Sequence, residues 1–203
     1  MKNILAIETA TNICSISLFL DGDFVKTKDS VEPRSHAVKL PVFTDVLLKK
    51  YQCKVSDLDG IAVSAGPGSY TGLRIGMSLA KGLALSSDLP LLPVKTLFAM
   101  DMDIDESSPH WVCIHSHKNM VFSQKFHNHE SVSEPLCIAA TDLDSSPIFG
   151  NELQKHNSEI KFTEVLPSSQ NIGRFALKNA TELVVKELQK VSPLYLTEFN
   201  INN

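Results

Sequence analysis

Two short stretches of the chain carry the residue types that could do chemistry. Glu8-Thr9-Ala10-Thr11 sets a carboxylate and two hydroxyls at the end of an apolar run, and Gly66-Pro67-Gly68-Ser69-Tyr70-Thr71 follows a second one. Glycines and hydroxyls at the entry to a helix can offer backbone amides and oxygens to an anion. Gly68, Ser69 and Thr71 are therefore candidate nucleotide or anion contacts. A plainer role for Glu8 is a strand-end carboxylate satisfied by loop amides. The standard nucleotide motifs are absent. No Lys-Ser/Thr closes the loop, Thr71 stands where a dinucleotide fingerprint needs glycine, and Pro67 removes one amide.

Five of the seven histidines fall between His110 and His129. Two His-x-His pairs, His115/His117 and His127/His129, could aim imidazoles at one metal if they lay on adjacent strands, since residues i and i+2 share a face. No carboxylate or cysteine stands at matching spacing, and His117 and His127 are expected in loops, so no metal ligands are assigned. Ser69, His36 and Asp45 can be drawn as a triad, but nothing around Ser69 has the form of a nucleophile elbow. The His-Glu-x-x-His zinc motif is missing too. Cys14, Cys53, Cys113 and Cys137 are scattered, which fits free thiols in a cytoplasmic protein. No catalytic residue is assigned.

The elements that position these residues follow from periodicity. Residues 3–8 read as a buried strand, 13–20 and 24–31 as two more joined by the Asp21-Gly22-Asp23 turn. Residues 34–50 read as a helix with Val38, Val42, Phe43, Val46 and Leu47 on one face; Pro41 either kinks it or marks its first turn. Residues 60–65 form a buried strand, and Ser69 or Thr71 caps the helix after it. In that helix Gly72, Gly76 and Ala80 recur every four residues as a strip almost bare of side chains. Each interior glycine costs roughly 1 kcal/mol against alanine, so a strip of them implies close approach of another backbone, from the chain's own core or from a partner. A short strand at 89–94 and a short helix at 95–102 follow.

The acidic, proline-ended stretch 101–109 reads as a boundary. Beyond it come a hairpin at 110–115 and 120–126, strands at 135–140 and 148–151, and an amphipathic helix over 171–190. Not one glycine lies between Gly82 and Gly150. A second phosphate loop would need residues that tolerate positive φ there, which argues against independent ATP chemistry.

The run Gly66 to Gly76, GPGSYTGLRIG, resembles the signature of the bacterial TsaB (YeaZ) family. The Arg34/His36 helix before it and the Pro193-Leu194-Tyr195-Leu196 tail are also similar to that family, whereas His115 to Phe122 departs from its usual Asp-Ala-Arg segment. The resemblance implies an α/β, two-lobed actin/sugar-kinase/Hsp70-like fold. Residues 1–100 would be the first lobe and 101–203 a reduced second lobe whose end packs back on the first. It implies a non-catalytic subunit that pairs with a TsaD-like catalytic paralogue, joined by a TsaE-like ATPase, to make threonylcarbamoyladenosine at adenosine 37 of tRNA. It implies a homodimer when alone, indirect contact with tRNA, and no cofactor beyond ATP or ADP at an interface with partners. On this reading His36, Val42, Val46, Gly72, Leu73, Arg74, Gly76, Leu79, Ala80 and Leu83 form the partner contact. The alternative is a small ATP-binding kinase or ATPase of the same superfold built on Glu8, Thr9 and Thr11, and a histidine-based metal module is a third reading.

Composition bounds these choices. Across 203 residues, 43% are hydrophobic and 21% charged, enough for one large or two small cores. A formal charge of −4 argues against a broad nucleic-acid face. No apolar run reaches the length of a membrane span, and Glu8 interrupts the opening run too early for a signal peptide.

Overall fold

Strand β1 (Ile4–Glu8) is wholly buried, as its unbroken apolar run requires of a strand covered on both faces. In the computed structural model, which describes residues 1–32, 34–155 and 160–196, β1 is the middle of a five-stranded sheet. Its neighbours are β2 (Cys14–Leu20), β3 (Asp23–Ser30), β4 (Gly60–Ser64) and β5 (Leu91–Val94), in the order β3-β2-β1-β4-β5. The first three strands are antiparallel, while β1, β4 and β5 run parallel. The β2–β3 turn uses positive φ at Asp21 and Gly22, the geometry that a tight hairpin favours.

Helices α1 (His36–Lys50) and α2 (Tyr70–Ser86) cover one face of this sheet. Leu5, Ile7, Ile16 and Leu18 meet Leu40, Leu47, Met77, Ala80 and Ala84 there. The other face packs Ile4, Ala6, Phe19 and Ala62 against Ile172 and Ala176 of α4 (Ser169–Lys178). The short α3 (Thr96–Asp101) leads to the second sheet. That sheet is built from β6 (His110–His117), β7 (Met120–His127), β8 (Glu130–Ser131), β9 (Leu136–Ala139), β10 (Ile148–Asn151) and β11 (Thr163–Glu164). Its order is β11-β10-β6-β7-β8, with β9 also on β7.

Three sequence expectations change. Helix α1 runs unbroken from His36 through Pro41, so Pro41 is an interior residue and not its first turn. The helix expected over 171–190 ends at Lys178. Asn179 turns its side chain onto the Phe175 carbonyl, a single turn α5 (Ala180–Leu183) follows, and Val185 then pairs with Leu91 on the open edge of β5. A β-branched valine is better accommodated there than in a helix. His117 and His127, expected in loops, are the last residues of β6 and β7. Residues 156–159 and 197–203 of the expected second lobe lie outside the described residues.

Candidate functional site

The two chemistry-bearing stretches meet at the carboxyl ends of β1 and β4. Ser69 donates its amide to the Ala10 carbonyl at 2.7 Å, and Thr9 donates its amide to the Ser64 hydroxyl at 3.1 Å. Gly66 adopts φ +92°, and a Cβ there would lie 2.7 Å from the Leu194 carbonyl oxygen, so only glycine suits the turn. A Cβ on Gly68 would fall 2.4 Å from the Ala10 carbonyl. Backbone meets backbone at this point, where a phosphate would otherwise approach.

Glu8 is wholly buried. Its Oε1 accepts the Ala10 amide, while Oε2 has no hydrogen-bond partner. Burial pushes the carboxyl up to about 7, and the Ala10 amide offsets only part of that. Beside it, Ser15 and Ser17 share the Ser169 hydroxyl at 2.6 and 2.7 Å, and Ser168 caps α4 by accepting the Asn171 amide. The Asn12 amide donates to Glu152 across the two sheets at 3.0 Å.

These contacts correct the anion reading. Thr9 is wholly buried beneath α2 with an unpartnered hydroxyl, and Ser69 spends its oxygen capping α2 at the Gly72 amide. Thr71 is exposed, and Thr11 accepts the Ile13 amide on its hydroxyl. An ionised Glu8 would repel a phosphate, and among the described residues no basic side chain is bonded to it.

The bare strip also faces inward. A Cβ on Gly72 would stand 2.1 Å from the Thr9 carbonyl oxygen, and one on Gly76 2.3 Å from the Thr9 hydroxyl. Leu73 and Ala80 are wholly buried, and buried His36 donates Nε2–H to the Ile13 carbonyl. Gly72, Leu73, Gly76, Ala80 and His36 thus belong to the chain's own packing, because α2 closes on the β1–β2 loop. The triad drawn on Ser69, His36 and Asp45 does not assemble: His36 bonds the Ile13 carbonyl, Ser69 accepts the Gly72 amide, and Asp45 pairs with Lys49.

What remains open is the outer side of the same two helices. Val38, Val42 and Val46, one turn apart on α1, are 71%, 53% and 41% exposed. An apolar row left in water on a helix whose other side is buried is unusual for a free surface. Between α1 and α2 runs an open groove of about 330 Å³, lined by Ala37, Leu40 and Pro41 from α1 and by Ile75, Ser78, Leu79 and the exposed Arg74 from α2. Leu83 is half-buried against the core. Sequence reasoning missed Val38 as part of this row's exposure, though its i, i+4 spacing to Val42 was the available signal.

The chain's last described segment straps this region. Leu194 donates to the Ala65 carbonyl, Lys81 Nζ to the Val191 carbonyl at 2.7 Å, and Tyr195 packs on Tyr70 with ring centroids 4.9 Å apart. The histidines fall into a different arrangement. His110 and His129 each hold one oxygen of buried Asp101 at 2.8 Å, which ties α3 to the second sheet. Among the described residues no three potential ligands gather in a way that could hold a metal. No described helix is long and apolar enough to cross a membrane.

Comparison with known proteins agrees with this architecture. The family model for tRNA N6-adenosine threonylcarbamoyltransferase (TsaD) matches residues 27–188. The Escherichia coli (strain K12) tRNA threonylcarbamoyladenosine biosynthesis protein TsaB is 43% identical over 98 residues, 48% of this chain and 42% of that protein. The Paracoccus denitrificans transferase is 44% identical over 78 residues, 38% of this chain and 22% of its own length. The chain thus spans less than half the length of the curated relatives it matches. YeaZ from Pseudomonas aeruginosa superposes with a TM-score of 0.76 at 24% identity, over 97% of this chain and all of that one. A polyphosphate/ATP-glucomannokinase from Arthrobacter superposes at 0.50 and 9% identity, over 90% of this chain and all of that one. The fold is therefore the two-sheet α/β architecture shared with YeaZ and this sugar kinase, and the chain belongs to the TsaB (YeaZ) family of proteins related to the tRNA N6-adenosine threonylcarbamoyltransferases.

Proposed function

We propose that this chain is a non-catalytic subunit of a tRNA-modifying assembly, acting in the cytoplasm in threonylcarbamoyladenosine biosynthesis. It pairs through the outer side of α1 and α2 with a TsaD-type transferase, and a TsaE-type ATPase joins the pair. The transferase holds the metal and the tRNA, so contact of this chain with tRNA is indirect. Any ATP or ADP sits at an interface with partners. The observation that carries the reading is the Val38/Val42/Val46 row beside the open groove. Taking a fully exposed valine out of water contributes roughly 1.5–3 kcal/mol, and these part-exposed ones correspondingly less; among the described residues nothing covers the row. The similarity to the transferase family makes a partner of the same fold the natural occupant, because two related helix pairs can pack across a pseudo-twofold axis. The kinase or ATPase alternative needs an open cradle at Thr9 and Gly68, where the chain instead packs against itself.

The test is a binding titration of the purified chain with the TsaD-type transferase of the same cell, beside Val42→Arg. Wild type is expected to bind and to raise threonylcarbamoyl transfer to tRNA. Val42→Arg, at an exposed site, is expected to keep its thermal unfolding midpoint and lose binding by roughly 100-fold or more, as for a charge placed in an apolar hot spot. Equal binding by both proteins sinks the reading.

A further inference from the structure

Arg74 is the one charged side chain lining the α1/α2 groove among the described residues, and none of their carboxylates pairs with it. It is nevertheless held in place. Its guanidinium stacks 3.9 Å from the Tyr70 ring centroid and lies 5.8 Å from that of Tyr195, and its Nε–H donates to the Tyr195 hydroxyl at 3.2 Å. Tyr195 is itself fixed through the strap, whose Leu194 amide bonds the Ala65 carbonyl at 2.8 Å. Two aromatic rings and a backbone tether thus orient one cation beside a trough whose remaining lining is apolar apart from Ser78.

An exposed arginine normally loses much rotamer freedom on pairing, which cancels most of the gain. Here that freedom is already restricted, so pairing costs less. Docking an apolar ridge into the groove strips water from the guanidinium beside it, and an uncompensated charge there would oppose association. The fork of terminal N–H groups matches a carboxylate in a planar, two-bond geometry. Nε–H is taken by the Tyr195 hydroxyl and the two rings steady the guanidinium, so the terminal N–H groups are the ones that a partner carboxylate would engage.

Building on the pairing proposed above, we propose that Arg74 is a preset anchor for a carboxylate on the partner transferase. The fitting surface is an apolar helix ridge that seats between α1 and α2 and ends in an aspartate or glutamate opposite Arg74. Tyr70 and Tyr195 are the residues that position it.

The test compares wild type, Arg74→Ala, Arg74→Lys and Val42→Arg for affinity to the purified transferase at low and high salt. Arg74→Ala is expected to weaken binding by roughly 10- to 100-fold, the range for losing one arm of an interfacial charge pair, and to flatten the salt dependence. Arg74→Lys keeps the charge without the fork, and is expected to retain the salt dependence while recovering less than the wild-type affinity. If Arg74→Ala binds within twofold of wild type while Val42→Arg does not bind, the apolar face is the interface and the anchor is refuted. If Arg74→Ala alters only self-association, the carboxylate belongs to a second copy and the proposal falls. If wild type fails to bind at all, the pairing itself is wrong and the anchor goes with it.

Discussion

A carboxyl group wholly buried at the end of a central strand, with one oxygen unpartnered, holds its proton longer than it would in water. For Glu8 that moves ionisation from the usual 4.5 to about 7. The sign follows from proton binding. Between those two values the folded chain keeps a proton that the unfolded chain has lost, so stability falls as pH rises through the window and is flat on either side. The full loss is about 3 kcal/mol, since each tenfold change in acidity is worth roughly 1.4 kcal/mol. Urea unfolding of wild type at about pH 5 and about pH 8 is expected to differ by an amount of that order beyond the same comparison for Glu8→Gln, which cannot ionise. Gln brings an amide into the unpartnered position and lowers stability overall, so the informative quantity is the difference between the two pH values. An equal pH dependence for the two proteins would mean that Glu8 is ionised at little cost. The sequence placed Glu8 correctly at a strand end beside loop amides. It could not show burial, because a single carboxylate after an apolar run looks the same whether a ligand or the chain's own loop covers it.

Helix α2 contains glycines of two kinds, and the difference is testable within one element. Gly72 has no room for a Cβ, which would sit 2.1 Å from a backbone oxygen of Thr9, whereas Gly82 has nothing within 4 Å. Gly82→Ala is expected to stabilise the protein by ~0.5–1 kcal/mol, since it restricts the unfolded chain and improves helix propensity. Gly72→Ala is expected to destabilise by roughly 2–3 kcal/mol, as the β1–β2 loop must move to admit it. Thermal unfolding of the two variants should therefore shift in opposite directions, and a shared direction would remove the packing explanation. The period of four made the bare strip legible, along with α2, α1 and the first five strands. Which neighbour the strip meets was not legible, because spacing tells which residues share a helix face and not what lies against it. The same limit governed α1, where Val42 and Val46 share a face with Val38 yet point away from the core that Leu40 and Leu47 fill. Beyond Lys178 the apolar spacing continued while the helix did not, since an unpaired edge at β5 offered Val185 a better partner.

Across the whole molecule, the outer side of α1 and α2 combines an exposed apolar row, an open groove and one oriented cation. A surface of this kind is satisfied by any complementary helix pair, including its own copy across a twofold axis. On the proposed reading, self-pairing and pairing with the transferase would compete for one face, so each would weaken the other in proportion to its affinity. Analytical ultracentrifugation of the isolated chain is expected to show a dimer at micromolar concentration, and Val42→Arg a folded monomer. Titrating the TsaD-type transferase into the wild-type dimer should convert it to a one-to-one complex, with no species holding two copies of this chain joined through α1 and α2. Such a ternary species, or a Val42→Arg protein that still dimerises, would locate self-association elsewhere on the surface.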